Sequence, residues 1–176
     1  ACCDAASLFL INEINDHERE LVFKLTQNDS MDFPFEEMRF PLDESSVAGY
    51  VALTDGELNI PDAYQLSGTV PHRFNQSFDR RTGYRTKSIF AIPLANKQKE
   101  VIGVLQFINR KKARSLKITD EKSALAYTLA FDSDINVLLQ ALASQAGIAI
   151  ENTILQNDIK ALFEGFVNAS VAAIEQ

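Results

Sequence analysis

Two short segments constrain this chain more than any other feature: SIFAIPL at 88–94 and VIGVLQFI at 101–108. Each is a nearly unbroken apolar run of strand length, not the apolar/polar alternation of a strand with one wet face. Such strands must be covered on both sides, so the pair, flanking NKQKE, predicts the centre of a sheet with material packed on each face. Gln106 interrupts the second run. By alternation it shares a face with Ile102, Val104 and Ile108, and an amide buried there without partners costs about 1–3 kcal/mol. It therefore meets either a neighbouring backbone group or a ligand.

The remaining segments arrange themselves around that centre. ASLFLINEI at 5–13 and ELVFKLTQ at 20–27 are β-rich and separated by NDHER, which predicts a hairpin, and MRFPL at 38–42 is a third short run. Ser45 and Ser46 offer N-caps to VAGYVALTDG, a short helix ending at Asp55-Gly56, and Leu58 to Ile60 read as a brief strand. Residues 62–83 are rich in Pro, Gly, Ser, Asn and Asp with scattered aromatics, the kind of irregular segment where binding residues concentrate. From about Ile135 the period becomes helical: one of Asp132, Ser133 or Asp134 is the cap, and Ile135, Leu139, Leu142, Ala146 and Ala149 form the inward stripe. Ile159, Leu162, Phe163, Phe166 and Val167 keep helical spacing further on, where a helix on the order of 60 Å long has outrun one small domain.

Composition narrows the function classes. With 176 residues, 46% of them hydrophobic, the chain supports one core, and a net charge of −7 disfavours nucleic acid and anionic membrane surfaces as partners. No run of about 18 apolar residues and no signal-peptide pattern is present, so a cytoplasmic protein is expected. Cys2 and Cys3 are adjacent, and His17 and His72 stand without a second ligand at a metal spacing, which leaves thiol or metal catalysis little to work with.

The order of elements, with VAGYVALTDGELNIPDAY at 47–64 and FDRRTGYRTKSIFAIPL followed by EVIGVLQFINRK, resembles the GAF domain family of small-molecule sensors, in its cyclic-nucleotide phosphodiesterase branch. The resemblance implies an α+β fold, an antiparallel sheet of about six strands with helices on one face and a ligand pocket on the other, and a long C-terminal helix. It divides the chain into a sensory domain at 1–152 and a signalling helix at 153–176. The branch carries a dispersed Asn-Lys, Phe, Asp, Glu motif whose Lys–Asp pair supports the pocket. Asn109 and Phe131 match it, Arg110 stands for the Lys, and Ile135 and Asn136 occupy the acidic positions, so the partner of Arg110 falls to Asp132 or Asp134.

The same resemblance implies ligand contacts at Val47, Ala48, Asn75, Asp79, Thr82, Thr86 and Gln106, with Asn109, Arg110, Phe131 and Asp134 as supports. Helix-start N–H groups and threonine hydroxyls suit a phosphate, and a cyclic nucleotide or another small molecule is the implied ligand. Thr82 and Thr86 are expected to face the cavity. Arg80, Arg81, Arg85 and Lys87 read as its solvated rim, with an arginine paired to Asp79 as the structural alternative. ALFEGFVNASVAAIEQ at 161–176 is similar to the segment joining a GAF domain to an HD-GYP-type phosphohydrolase of cyclic di-nucleotides, whose catalytic motifs this chain lacks. The implied role is a non-catalytic sensor, dimeric through its last helix and covalently attached to an output domain. A domain with a closed pocket, serving as dimerisation and spacing element, is the alternative.

Overall fold

The computed structural model describes the backbone of residues 3–15 and 17–174, with side chains as far as Val167. Cys2, the turn residue Asp16 and the end of the tail therefore lie outside the described residues. The first hairpin forms as the two β-rich runs require, with β1 (Cys3–Asn15) antiparallel to β2 (Glu18–Asn28). There follow β3 (Met38–Pro41), α1 (Val47–Thr54), β4 (Leu58–Ile60), a 3-10 turn at Ala63–Gln65, α2 (Ser77–Thr82), β5 (Ile89–Ala95) and β6 (Val101–Lys111). The chain closes with α3 (Glu121–Tyr127), the two-residue β7 (Thr128–Leu129) and α4 (Ser133–Ile174).

The strands make one antiparallel sheet in the order β3-β2-β1-β6-β5-β4, with β7 added at the far end of β6. The apolar strands β5 and β6 are covered on both faces. On one side Phe90, Ile92 and Leu94 pack against Phe131 and against Leu139 and Ala143 of α4. On the other, Ile89, Ala91 and Val104 meet Val47, Ala48 and Val51 of α1. Val51 is 0% and Leu139 1% exposed, and burying each contributes on the order of 1.5–3 kcal/mol.

Two registers differ from the sequence reading. Leu94 pairs with Gly103 but Ala95 with Val101, so Ile102 stands in a bulge and packs with the α4 cluster instead of sharing the face of Gln106. On α4, the inward stripe runs through Ile135, Leu139, Ala143, Ala146 and Ile150. Leu142, read as part of it, is 51% exposed, and Ala149 is exposed as well. The steps of four, four, three and four residues keep the stripe on a straight seam, which the sequence spacing alone left one residue off at Leu142 and Ala149.

Local chemistry sets the helix ends. The Ser46 hydroxyl accepts from Gly49 N at 2.9 Å, and Asp55 adopts left-handed φ 50° at the other end of α1. Asp132 caps α4, its carboxylate accepting from Ile135 N at 3.2 Å. At Gly147 α4 lies close against the sheet, and a Cβ there would collide with the Ala95 carbonyl. Farther on α4 leaves the sheet, and Ile159, Leu162, Phe163 and Phe166 stand 66–75% exposed.

The two α4 glycines give opposite expectations. Gly147→Ala should lower unfolding free energy by about 1–3 kcal/mol in a urea titration, because backbone must move to admit the methyl. Gly165→Ala, with nothing within 4 Å, should be neutral or stabilising by up to about 1 kcal/mol.

Candidate functional site

Between the second face of the sheet and its cover lies a cavity of about 310 Å³. Ser7 and Phe9 of β1, Phe23 of β2 and Gln106 of β6 form its floor, and Val47 and Ala48 at the start of α1 wall one side. Phe78, Asp79 and Arg81 of α2 face it from the cover. Phe9 and Phe23 stack at 4.9 Å, because a register shift in the first hairpin brings their strand positions opposite each other. Over the mouth, Phe33 from the loop after β2 meets Phe78 edge-on at 4.8 Å. The sequence reading missed that loop, although two phenylalanines in the otherwise polar DFPFEE were a visible signal.

Six of the seven expected contact residues line this cavity: Val47, Ala48, Asn75, Asp79, Thr86 and Gln106. Thr82 does not. It sits at the C-terminal end of α2, where its hydroxyl donates to the Phe78 carbonyl at 2.9 Å and accepts from Tyr84 N at 3.3 Å, so the helix end consumes the group. Asn75 uses its Oδ1 to accept from Ser77 N at 2.9 Å. Asp79 is 3% exposed, and accepts from Thr86 N at 2.7 Å, Thr86 Oγ1 at 3.0 Å and the Tyr64 hydroxyl at 3.0 Å. Burial pushes its carboxyl above the usual range, and the Thr86 and Tyr64 bonds oppose that push. Gln106 is 9% exposed and its side chain makes no hydrogen bond to another described residue.

Of the expected solvated rim, Arg80 and Arg81 are exposed, whereas Arg85 is drawn in. Arg85 lies 3.4 Å above the Tyr64 ring and pairs with Glu121 at 3.4 Å and Asp62 at 3.8 Å. Arg80 donates to the Gln76 side chain at 3.0 Å, whereas Arg81 lines the cavity. Among the described residues no arginine forms an ion pair with Asp79, whose lone pairs Thr86 and Tyr64 already occupy.

Behind the cavity, Asn109 holds the segment that leads into β5. Its backbone is left-handed at φ 53°, and it is 0% exposed. Its Oδ1 accepts from Lys87 N at 2.7 Å and Ser88 N at 3.2 Å, and its Nδ2 donates to the Arg85 carbonyl at 2.8 Å and the Tyr84 hydroxyl at 3.0 Å. The Tyr84 hydroxyl donates in turn to Asp4 at 2.7 Å. Asp4 is ion-paired with the buried Lys111 at 3.1 Å, and Lys111 reaches Asp29 at 2.5 Å. Arg110 donates to the Ala130 carbonyl at 2.9 Å and to Asp132 at 2.6 Å. Asp132, not Asp134, is thus the acidic partner. Phe131, 4% exposed and stacked on Phe90 at 5.8 Å, fixes the backbone on both sides of itself, so one guanidinium meets both neighbours.

Among the described residues no group of three or more His, Cys, Asp and Glu could hold a metal. Neither His72, buried against Tyr50 at 4.7 Å, nor Cys3 on β1 lines the cavity.

The acidic ties generate a pH expectation. Hydrogen bonds from Lys111 and Lys117 hold Asp29 down to about 2, and the bond from Arg110 holds Asp132 below its usual value. Groups depressed on folding contribute stability above their unfolded pKa near ~4 and lose it as pH falls through the folded value. Melting temperature should therefore drop between pH ~4 and ~2, with a shallower drop in Asp29→Asn. Asp79, raised on folding, works the other way and in a higher window: its contribution grows as pH falls from the folded value towards ~4, and Asp79→Asn should remove that gain while leaving the drop below pH ~4 in place.

Comparison with known proteins matches this architecture. The GAF domain profile covers residues 2–150. The chain is 40% identical over 85 residues to dual 3',5'-cyclic-AMP and -GMP phosphodiesterase 11A of Takifugu rubripes, covering 48% of this chain and 9% of that protein. It is also 40% identical over 83 residues to dual 3',5'-cyclic-AMP and -GMP phosphodiesterase 11 of Drosophila melanogaster, covering 47% and 5%. The chain thus spans a small fraction of these relatives. Among solved structures, a methyl-accepting chemotaxis protein segment aligns with TM-score 0.61 at 18% identity, covering 88% of this chain and 81% of that one. The GAF domain of a phosphoenolpyruvate-protein phosphotransferase from Coxiella burnetii aligns at TM-score 0.60 and 17% identity, covering 89% and 76%. With the antiparallel sheet, the covered cavity and a profile match over most of its length, this chain belongs to the GAF domain family.

Proposed function

We propose that this chain is the ligand-sensing, non-catalytic part of a longer cytoplasmic signalling protein, and that its cavity takes a cyclic nucleotide or a related small molecule. One observation carries the reading: Gln106, 9% exposed and with no side-chain hydrogen bond to another described residue, stands on the floor of a cavity of about 310 Å³. That volume lies within the range of small-molecule sites, and an amide that opens onto it without a protein partner is available to a ligand. The phosphodiesterases of cyclic AMP and cyclic GMP among its relatives support the ligand class. The spacer alternative requires a filled pocket, and the cavity argues against it.

The output in this proposal is an attached signalling enzyme, such as a cyclic di-nucleotide phosphodiesterase. Two copies would be aligned through the end of α4. Leu155, Ile159, Leu162, Phe163 and Phe166 are each at least 50% exposed, and leaving such side chains in water forgoes on the order of 1.5–3 kcal/mol apiece. In this chain neither the sheet nor another described helix reaches them. A parallel second copy of the same stripe would bury them. No helix among the described residues is long and apolar enough to cross a membrane.

Two measurements test the proposal. Native mass spectrometry of gently purified protein should show a retained small molecule, and Gln106→Leu should weaken its binding by about 1–3 kcal/mol while leaving the melting temperature unchanged or raised. A loss of folding in that variant would make the amide structural. Sedimentation should find the full chain dimeric at micromolar concentration and a chain truncated after Asn152 folded and monomeric. A monomeric full chain would remove α4 as the dimer contact.

A further inference from the structure

Most polar side chains facing the cavity are already engaged. Ser7 and Thr26 share a hydrogen bond at 3.1 Å, the Tyr84 hydroxyl is bonded to Asp4, and Thr86 is bonded to Asp79. Three charged residues line the cavity: Arg73, Asp79 and Arg81. The Arg73 guanidinium is taken up by the carbonyls of Gly68, Val70 and His72, and the Asp79 carboxylate by Thr86 and Tyr64. Arg81 is exposed at the rim of the cavity and has no hydrogen bond or ion pair to another described residue. In a chain of net charge −7, the cavity is walled by two cations against one carboxylate, with one cation uncommitted. The rest of the wall is largely apolar and includes Phe9, Phe23, Phe33, Phe74 and Phe78.

We propose that Arg81 is the charge-selecting residue of this site, and that the ligand class is a planar molecule carrying an anionic group. Its polar edge would meet the Gln106 amide on the floor, its ring the phenylalanine walls, and its negative group the Arg81 guanidinium on α2. This rests on the reading of the cavity as a ligand site. The physical ground is complementarity. A guanidinium at the rim of a low-dielectric cavity attracts an anion more strongly than a guanidinium in open water, and planar rings gain from stacking on aromatic walls. The arrangement also explains why Gln106 and Arg81 sit on different elements, one on rigid β6 and one on the cover. A ligand spanning both would hold α2 against the sheet.

The test uses two dyes that differ by one sulfonate group, anilinonaphthalene sulfonate and its neutral parent phenylnaphthylamine, titrated by fluorescence into the full chain. Wild type should bind the sulfonate about tenfold more tightly than the neutral dye. Arg81→Gln should remove that preference without changing affinity for the neutral dye, Arg81→Lys should keep most of it, and Arg73→Gln should leave it intact. Gln106→Trp, which fills the cavity, should abolish binding of both dyes. Ser77→Trp at the rim replaces it if the first indole prevents folding. A sulfonate preference that survives Arg81→Gln, or equal affinities in wild type, overturns the role of Arg81 and leaves the cavity reading standing. If neither dye binds, or both still bind when the cavity is filled, the ligand-site reading fails and takes this inference with it.

Discussion

The buried network of Asp4, Tyr84, Asn109 and Lys111 is the constraint on which the cavity depends. It joins the first residues of β1, the last of β6 and the segment entering β5, three pieces far apart in the chain. Asp4 is 2% and Lys111 4% exposed, so their ion pair sits where desolvation costs several kcal/mol per charge. The network offsets this by saturating its groups. Asp4 accepts from Tyr84, Ser30 and Lys111, and Lys111 also donates to Asp29 and the Leu116 carbonyl. Such a cluster adds little net stability over an apolar core, but removing one member leaves a buried charge alone. Its consequence is geometric: the strand ends cannot slide, and the back wall of the cavity keeps its shape without a ligand.

The cavity and the long helix share β5 and β6. Alternate side chains of these strands face α1 and the cavity on one side and α4 on the other, so neither layer can move far without disturbing the same two strands. The Arg110–Asp132 pair adds a polar tie, from the end of β6 to the cap of α4. Asp79 plays the matching part on the cover, fastening α2 to the start of β5 through Thr86. Sheet, cover and helix are thus fastened to one another at one end of the β5–β6 pair, where the start of β5 lies beside the end of β6.

How much of this was legible follows from the range of each interaction. The hairpin, the Ser46-capped helix, the two central strands and the long helix are local patterns of period, capping and turn chemistry, and each appears where the sequence places it. Gln106 was legible for the same reason, as one amide in an apolar run. Thr82 was misplaced because whether a hydroxyl at a helix end turns outward or bonds back to the preceding turn depends on the helix boundary, which spacing does not resolve. Asp134 lost its place to Asp132 because the choice depends on how Phe131 seats against Phe90, 41 residues earlier in the chain.

By itself the sequence determined which strands must be central, where α1 begins, that α4 outruns its sheet and that the apolar floor holds one amide. These depend on side-chain type and spacing within a single element. Only the tertiary structure decided that Arg81 faces the cavity while Arg85 lies on Tyr64, that Phe33 meets Phe78 over the mouth, and that Asp4 and Lys111 pair beneath it. Each of those results joins residues from different elements. Their positions are set by bulges, strand order and the left-handed turn at Asn109, through which distant parts of the chain are brought to one place.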